Sequence, residues 1–174
     1  MKNTATIPRT ARGFTLIEIL IALVIFSIGL LGLAGMQLRG SEGTNMAYFR
    51  SQATLIANDM AERMHANRAG VDAFNYDGLV ARSEVCAGGA PNPVCATRGV
   101  TRGANCNAAQ MATFDLFTIA CSVENLLPAG SILTVTCNDN PNCVVGSAHT
   151  VAIAWSEVDD GQARSSDVIL VVQP

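Results

Sequence analysis

The sequence predicts an α+β fold: one long N-terminal helix packed against a small antiparallel β-sheet, with disulfide-linked loops. Three observations carry this expectation. An apolar run of 25 residues, Phe14 to Leu38, passes directly into an amphipathic pattern. Three segments rich in β-branched residues fill the last third of the chain, separated by turn sequences. All six cysteines fall between residues 86 and 143, well beyond the apolar run.

Composition sets the limits. A chain of 174 residues suffices for one domain plus an anchor. With 49% apolar and 14% charged residues it is too apolar to be disordered. The net charge is −3 and no basic stripe is present, so no nucleic-acid partner is expected. The cations are unevenly placed. Met1 to Gly13 holds Lys2, Arg9 and Arg12 and no acid, and Lys2 is the only lysine. Removing that stretch takes away three cations, and the charge moves from −3 to −6.

The run FTLIEILIALVIFSIGLLGLAGMQL is long enough for a helix to cross a bilayer core. Its basic flank keeps the N-terminus cytoplasmic, so everything after Arg39 lies outside a bacterial inner membrane. An ordinary secretory signal would have a shorter apolar core and an A-x-A-like site, which Ala34-Gly35-Met36 matches weakly. One acid interrupts the run. Glu18 is the fifth residue counted from Phe14. An ionised carboxylate costs about 2.5–3.5 kcal/mol at the bilayer centre and less near the end. A snorkelling or protonated glutamate is one resolution, and a partner cation is the other. A cut between Gly13 and Phe14 creates that cation, a new α-amine one helical turn from Glu18. The amine can also face Glu18 of a staggered neighbour. Such a pair adds little net stability, but an unpaired buried charge is costly, so it acts as a register device.

After Leu38, Met46, Phe49, Ala53, Ile56, Met60 and Met64 recur at helical spacing, with Arg50, Asn58, Asp59, Glu62 and Arg63 on other faces. The methionines read as core packing, and Asp59 with Arg63 as an i,i+4 pair. The two segments join into one helix over 14–67, about 80 Å long, with Gly70 as its stop. Residues 70–112 look loop-rich, and 114–125 read as a short helix. SILTVTC, HTVAIAWSE and SDVILVVQ read as strands, with NDNPN and DDGQ as turns. The sheet's apolar face needs a cover, which the long helix provides. The expected division is a leader over 1–13, a transmembrane or filament-core helix over 14–38, its amphipathic continuation over 39–69 and a globular domain over 70–174.

An even set of cysteines beyond a membrane-targeting segment points to disulfides in an oxidising compartment. Six cysteines allow 15 pairings. Cys137 and Cys143 flank a turn between strands and form the preferred pair. Cys86–Cys95 is the second expectation, leaving Cys106–Cys121. Gaps of 8, 10, 14, 15 and 5 residues fit a zinc site poorly, and no metal is expected.

No catalytic residue is expected. His65, near the helix end, and His149, opening a strand, read as surface or rim residues. P-loop, HExxH, GxSxG and GxGxxG patterns are absent. Asp159-Asp160 beside Gly161 reads as a turn with too few oxygen ligands nearby for calcium. Trp155 reads as core. The chain is read as neither an enzyme nor a cofactor protein.

Arg12-Gly13-Phe14-Thr15-Leu16-Ile17-Glu18 resembles the class III signal of type IV prepilins. The resemblance implies a type IV pilin-like fold and a dedicated peptidase that cuts after Gly13 and methylates Phe14. It also implies that Glu18 is the assembly glutamate. The continuation IALVIFSIGLLGLAGMQ and FRSQATLIANDMAERMHANRAG is similar to the PilV group of minor pilins, also called type IV pilus modification proteins. LLPAG at 126–130 and VAIAWSE at 151–157 fit that group more thinly. Many major pilins have a proline near the twenty-second mature residue. Gly35 stands there in this chain, preceded by Gly29 and Gly32. These glycines read either as a flexible segment or as a surface for close helix packing.

The function implied is a structural subunit for pilus assembly or initiation, with adhesion and twitching motility open to it. Its implied partners are other minor pilins, the major pilin, the prepilin peptidase, inner-membrane lipid and a pilus-tip adhesin. Its implied location is the inner membrane, then the periplasm, pilus and cell surface. Two alternatives remain: a minor pseudopilin of type II secretion, and a single-pass anchored periplasmic binding protein that does not polymerise.

Overall fold

The computed structural model describes residues 13–96, 103–139, 143–159 and 162–173. Most of the leader, the tip of NDNPN (140–142) and Asp160-Gly161 of DDGQ lie outside these.

Helix α1 runs from Leu16 to Ala66 as one unbroken element, within a residue or two of the sequence expectation. Its last third forms a seam. Ala53, Ile56, Ala57, Met60, Ala61 and Met64 are buried, while Met46 and Phe49 are half-buried. Burying each large member of the seam contributes roughly 1.5–3 kcal/mol. Met60→Ala would open a cavity costing about 2–5 kcal/mol. Asp59 and Arg63 pair at 3.0 Å, one turn apart.

The segment expected to be loop-rich holds three short elements: α2 (Arg68–Asp72), the two-residue strand β1 (Val80–Ala81) and α3 (Ser83–Ala87). Gly70 lies inside α2 and does not end the helical region. The short helix expected over 114–125 is the 19-residue α4, Ala108–Leu126. Its early start has a local cause. Asn107 accepts the Gln110 N–H at 2.9 Å, and the Gln110 side chain accepts the Asn107 N–H at 3.0 Å. That capping box satisfies two donors that a helix start leaves open. Pro128 follows the last turn and disfavours helical backbone at Leu127, which is extended.

Three strands follow: β2 (Ile132–Cys137), β3 (His149–Asp159) and β4 (Gln162–Val172). The sheet is antiparallel throughout, in the order β1-β2-β3-β4. Period-2 alternation sends Leu133, Val135, Val151, Ile153 and Trp155 inward. They join the α1 seam, α4 residues Ile119, Ala120 and Val123, and the flank of β4 in one core. The Trp155 indole N–H is satisfied by the Glu157 carboxylate. Gly146, with φ of +89°, closes the turn before β3, a backbone state that glycine adopts without strain.

The disulfides correct two of the sequence pairings. Cys137 and Cys143 are joined, as the turn between β2 and β3 suggests. Cys86 pairs with Cys121, tying α3 to α4, and Cys95 pairs with Cys106. Cys86–Cys95 and Cys106–Cys121 do not form. The reason is the length of α4, which carries Cys121 on a helix lying beside α3.

By contact the chain forms two units, one ending at Gly43 and the other beginning at Thr44.

Candidate assembly site

The proposed cut lies at the start of α1. Gly13 is exposed, outside any helix, and the space around it is open. Phe14 is also non-helical, with its side chain 78% exposed. Thr15 then caps the helix. Its hydroxyl accepts the Glu18 N–H at 3.4 Å, and its carbonyl accepts the Ile19 N–H at 3.3 Å. Thr15-Leu16-Ile17-Glu18 is therefore an S/T-x-x-E sequence whose threonine half is made, a signal the sequence reading passed over. It places the Gly13–Phe14 bond just before the cap, in backbone that has not yet entered the helix.

Glu18 sits in the first turn, where open N–H groups favour negative charge. Its carboxylate has no ion-pair partner among the described residues. Among the described residues the charge is met only by the open N–H groups of the helix end. Around it Leu16, Ile17, Leu20 and Phe26 are all more than half exposed. The N-terminal part of α1 is apolar and long enough to cross a membrane.

Gly29, Gly32 and Gly35 lie within α1, and a Cβ added at any of them would meet nothing within 4 Å. No contact among the described residues requires a glycine there.

The second unit contains a polar cluster that the sequence reading missed. Arg63 reaches Asp115 of α4 at 3.0 Å as well as Asp59. The Tyr76 hydroxyl donates to the other Asp115 oxygen at 2.5 Å and accepts from the Asn67 side-chain amide at 3.0 Å. Asn67 also donates to the Ala108 carbonyl at 2.8 Å. Tyr76 is fully buried and Asp115 is 3% exposed. Burial first, and then its hydrogen bond to Asp115, hold the Tyr76 phenol well above its ordinary pKa. The cluster locks the end of α1 to α4 and the loop between them. Its available signal was Asp115 itself, a lone acid within the apolar run MATFDLFTIA.

His149 is not a rim residue. It is 1% exposed, and its Nδ1 donates to the Ser147 carbonyl at 3.1 Å. Its inward place follows from the parity of β3, where odd-numbered residues face the core. His65 is exposed. A groove of about 450 Å³ runs along α4 past Phe117 and Asn125. Its one charged lining residue among the described residues, Arg63, is already held by two carboxylates.

Two family models match adjoining stretches. The prokaryotic N-terminal methylation motif matches residues 8–34, and the model described as type IV pilin Tt1218 matches residues 35–117. No curated protein and no solved structure gives a match. The two matched stretches, with the long helix, the antiparallel sheet and the three disulfides, support a type IV pilin that carries a prepilin methylation signal.

Proposed function

We propose that the chain is a minor pilin similar to the PilV group. As a prepilin it spans the inner membrane once, is cut between Gly13 and Phe14, and is methylated on Phe14. It then joins other pilins in a complex that initiates or caps a type IV pilus. The observation that carries this reading is the coincidence of three features at one place. The methylation-motif match covers Gly13 and Phe14, the bond between them is exposed and non-helical, and the helix that follows is apolar and uncovered.

In this reading the side chains from Leu16 to Leu38 pack against neighbouring helices, and Glu18 faces the amine of an adjacent subunit. A subunit out of register strands both charges in apolar surroundings, which is costly. Gly29, Gly32 and Gly35 permit close approach or local bending.

The test is incorporation of Glu18→Ala into pili sheared from cells. The variant should be cut at Gly13 and remain in the membrane, yet be depleted from pili. Normal incorporation would refute the register role. Co-purification of the wild-type chain with secretion components instead of pilus components would favour a pseudopilin.

A further inference from the structure

The sheet has two unlike edges. At one end β1 is only two residues long. At the other, β4 extends from Gln162 to Val172 and pairs only with β3 among the described strands. Natural sheets blunt a long edge with charged residues, lysine above all, or with proline, a bulge or a cover, and the charges of β4 are Arg164 and Asp167, both in its first six residues. β4 contains no lysine and no proline. Its register with β3 is unbroken from His149–Val172 to Asp159–Gln162, so no bulge twists it away.

The hydrogen-bond phase identifies the groups at this edge. Val135 donates its N–H to the Leu79 carbonyl and accepts the Gly78 N–H, so both its backbone groups face β1. Even-numbered β2 residues therefore face β3, and the bond from Asn138 N–H to the Ala148 carbonyl continues that phase. Carried across β3, the alternation sends its odd-numbered residues to β4, where the even-numbered residues answer them. The backbone N–H and C=O of Ala163, Ser165, Asp167, Ile169 and Val171 are left pointing outward. The side chains of these same five residues are all exposed, Ile169 by 62% and Val171 by 60%.

We propose that the β4 edge is a docking site for one extended strand supplied by a different subunit of the assembly. The proposal rests on the filament reading for the source of that strand. The edge specifies its chemistry. Outward N–H and C=O groups at every second residue require extended backbone. Ile169 and Val171 favour β-branched apolar residues opposite them. Asp167, the one charged side chain among the five, favours an arginine or lysine opposite it. The same residue disfavours a second copy of this chain. Asp167 is the midpoint of β4, so antiparallel self-pairing along the full strand sets two carboxylates directly opposite each other.

The test uses the full chain in pilus-forming cells, with a photoreactive phenylalanine analogue at Ser165. The expected result is a cross-link to one extended segment of a different subunit. Ile169→Pro removes an outward N–H and no bond to β3, so it should lower both the cross-link and incorporation into sheared pili about tenfold. Val145→Pro alters an equally exposed valine in the turn that Gly146 closes, and it should change neither. If Ile169→Pro does not accumulate, Ile169→Lys carries the test, because lysine guards an edge without disturbing the ladder. Three results would overturn the proposal: a cross-link to β4 of a second copy, no cross-link from a chain present in pili, or wild-type behaviour of the edge variant. A cross-link to another subunit from a chain absent from pili would support the edge and sink the pilus reading.

Discussion

Asp115→Ala probes what holds the end of α1 to α4. Asp115 is 3% exposed and accepts from two donors, the Tyr76 hydroxyl and Arg63 Nη1. Alanine removes both acceptors. The fully buried Tyr76 hydroxyl then has no acceptor for its proton, which costs about 1–3 kcal/mol. Arg63 loses its buried partner but keeps Asp59, and its side chain is 27% exposed, so that loss is smaller than for a fully buried pair. With the small cavity added, the sum is about 3–5 kcal/mol. For a chain of this size that lowers Tm by about 10 °C. The assay is thermal or urea denaturation of the full chain in detergent, disulfides intact, followed by the fluorescence of Trp155, the only tryptophan. Tyr76→Phe in the Asp115→Ala background should cost little further, giving a coupling energy of about 1–2 kcal/mol. A loss under about 1 kcal/mol for Asp115→Ala, or a coupling near zero, would show that the cluster does not act as a unit.

Three further outcomes are expected. The Tyr76 phenol titrates higher folded than unfolded, so the stability this difference supplies is complete below about pH 10 and lost above it, by up to about 1.4 kcal/mol per pH unit. Tyr76→Phe should flatten that part of the alkaline profile, and an unchanged profile would contradict the assignment. Replacing Cys86 and Cys121 together by serine opens a loop with a separation of 35 residues, and loop entropy sets the loss at about 4 kcal/mol. The same change at Cys137 and Cys143, with a separation of 6, should cost about 2 kcal/mol. Neither double variant should hold a free thiol on titration, and two free thiols in the first would restore the sequence pairing. Thr15→Ala removes the α1 cap and should speed amide exchange at Glu18 severalfold without moving the global melting point. Equal exchange in both proteins would show that the cap is not formed in the membrane.

The parts of the fold with long, regular patterns were legible from the sequence. A seam from Met46 to Met64 at helical spacing can only be one face of a helix, and three β-branched runs between turns can only be strands. The parts set by single residues were missed. Asn107 and Gln110 start α4 earlier than its apolar content suggests, through two hydrogen bonds that periodicity does not register. Only one disulfide passes over intervening cysteines, and that one upset the sequence pairing: Cys86 meets Cys121 because α3 lies along α4. His149 was read as a rim residue because it opens a strand, yet strand parity sends it inward with Val151 and Ile153. At the anchor the methylation motif was legible, because its signal is local, and a family model matches it over residues 8–34. Thr15 was not, because its cap role shows only once the helix start is placed.

The central claim is that the chain is processed at Gly13 before it assembles. The direct measurement is the N-terminal mass and sequence of the chain recovered from sheared pili. The account predicts a start at Phe14 bearing one methyl group on its amine, with residues 1–13 gone and no lysine left to label. A chain beginning at Met1, or near Met36 as an ordinary secretory signal would leave it, would contradict the account.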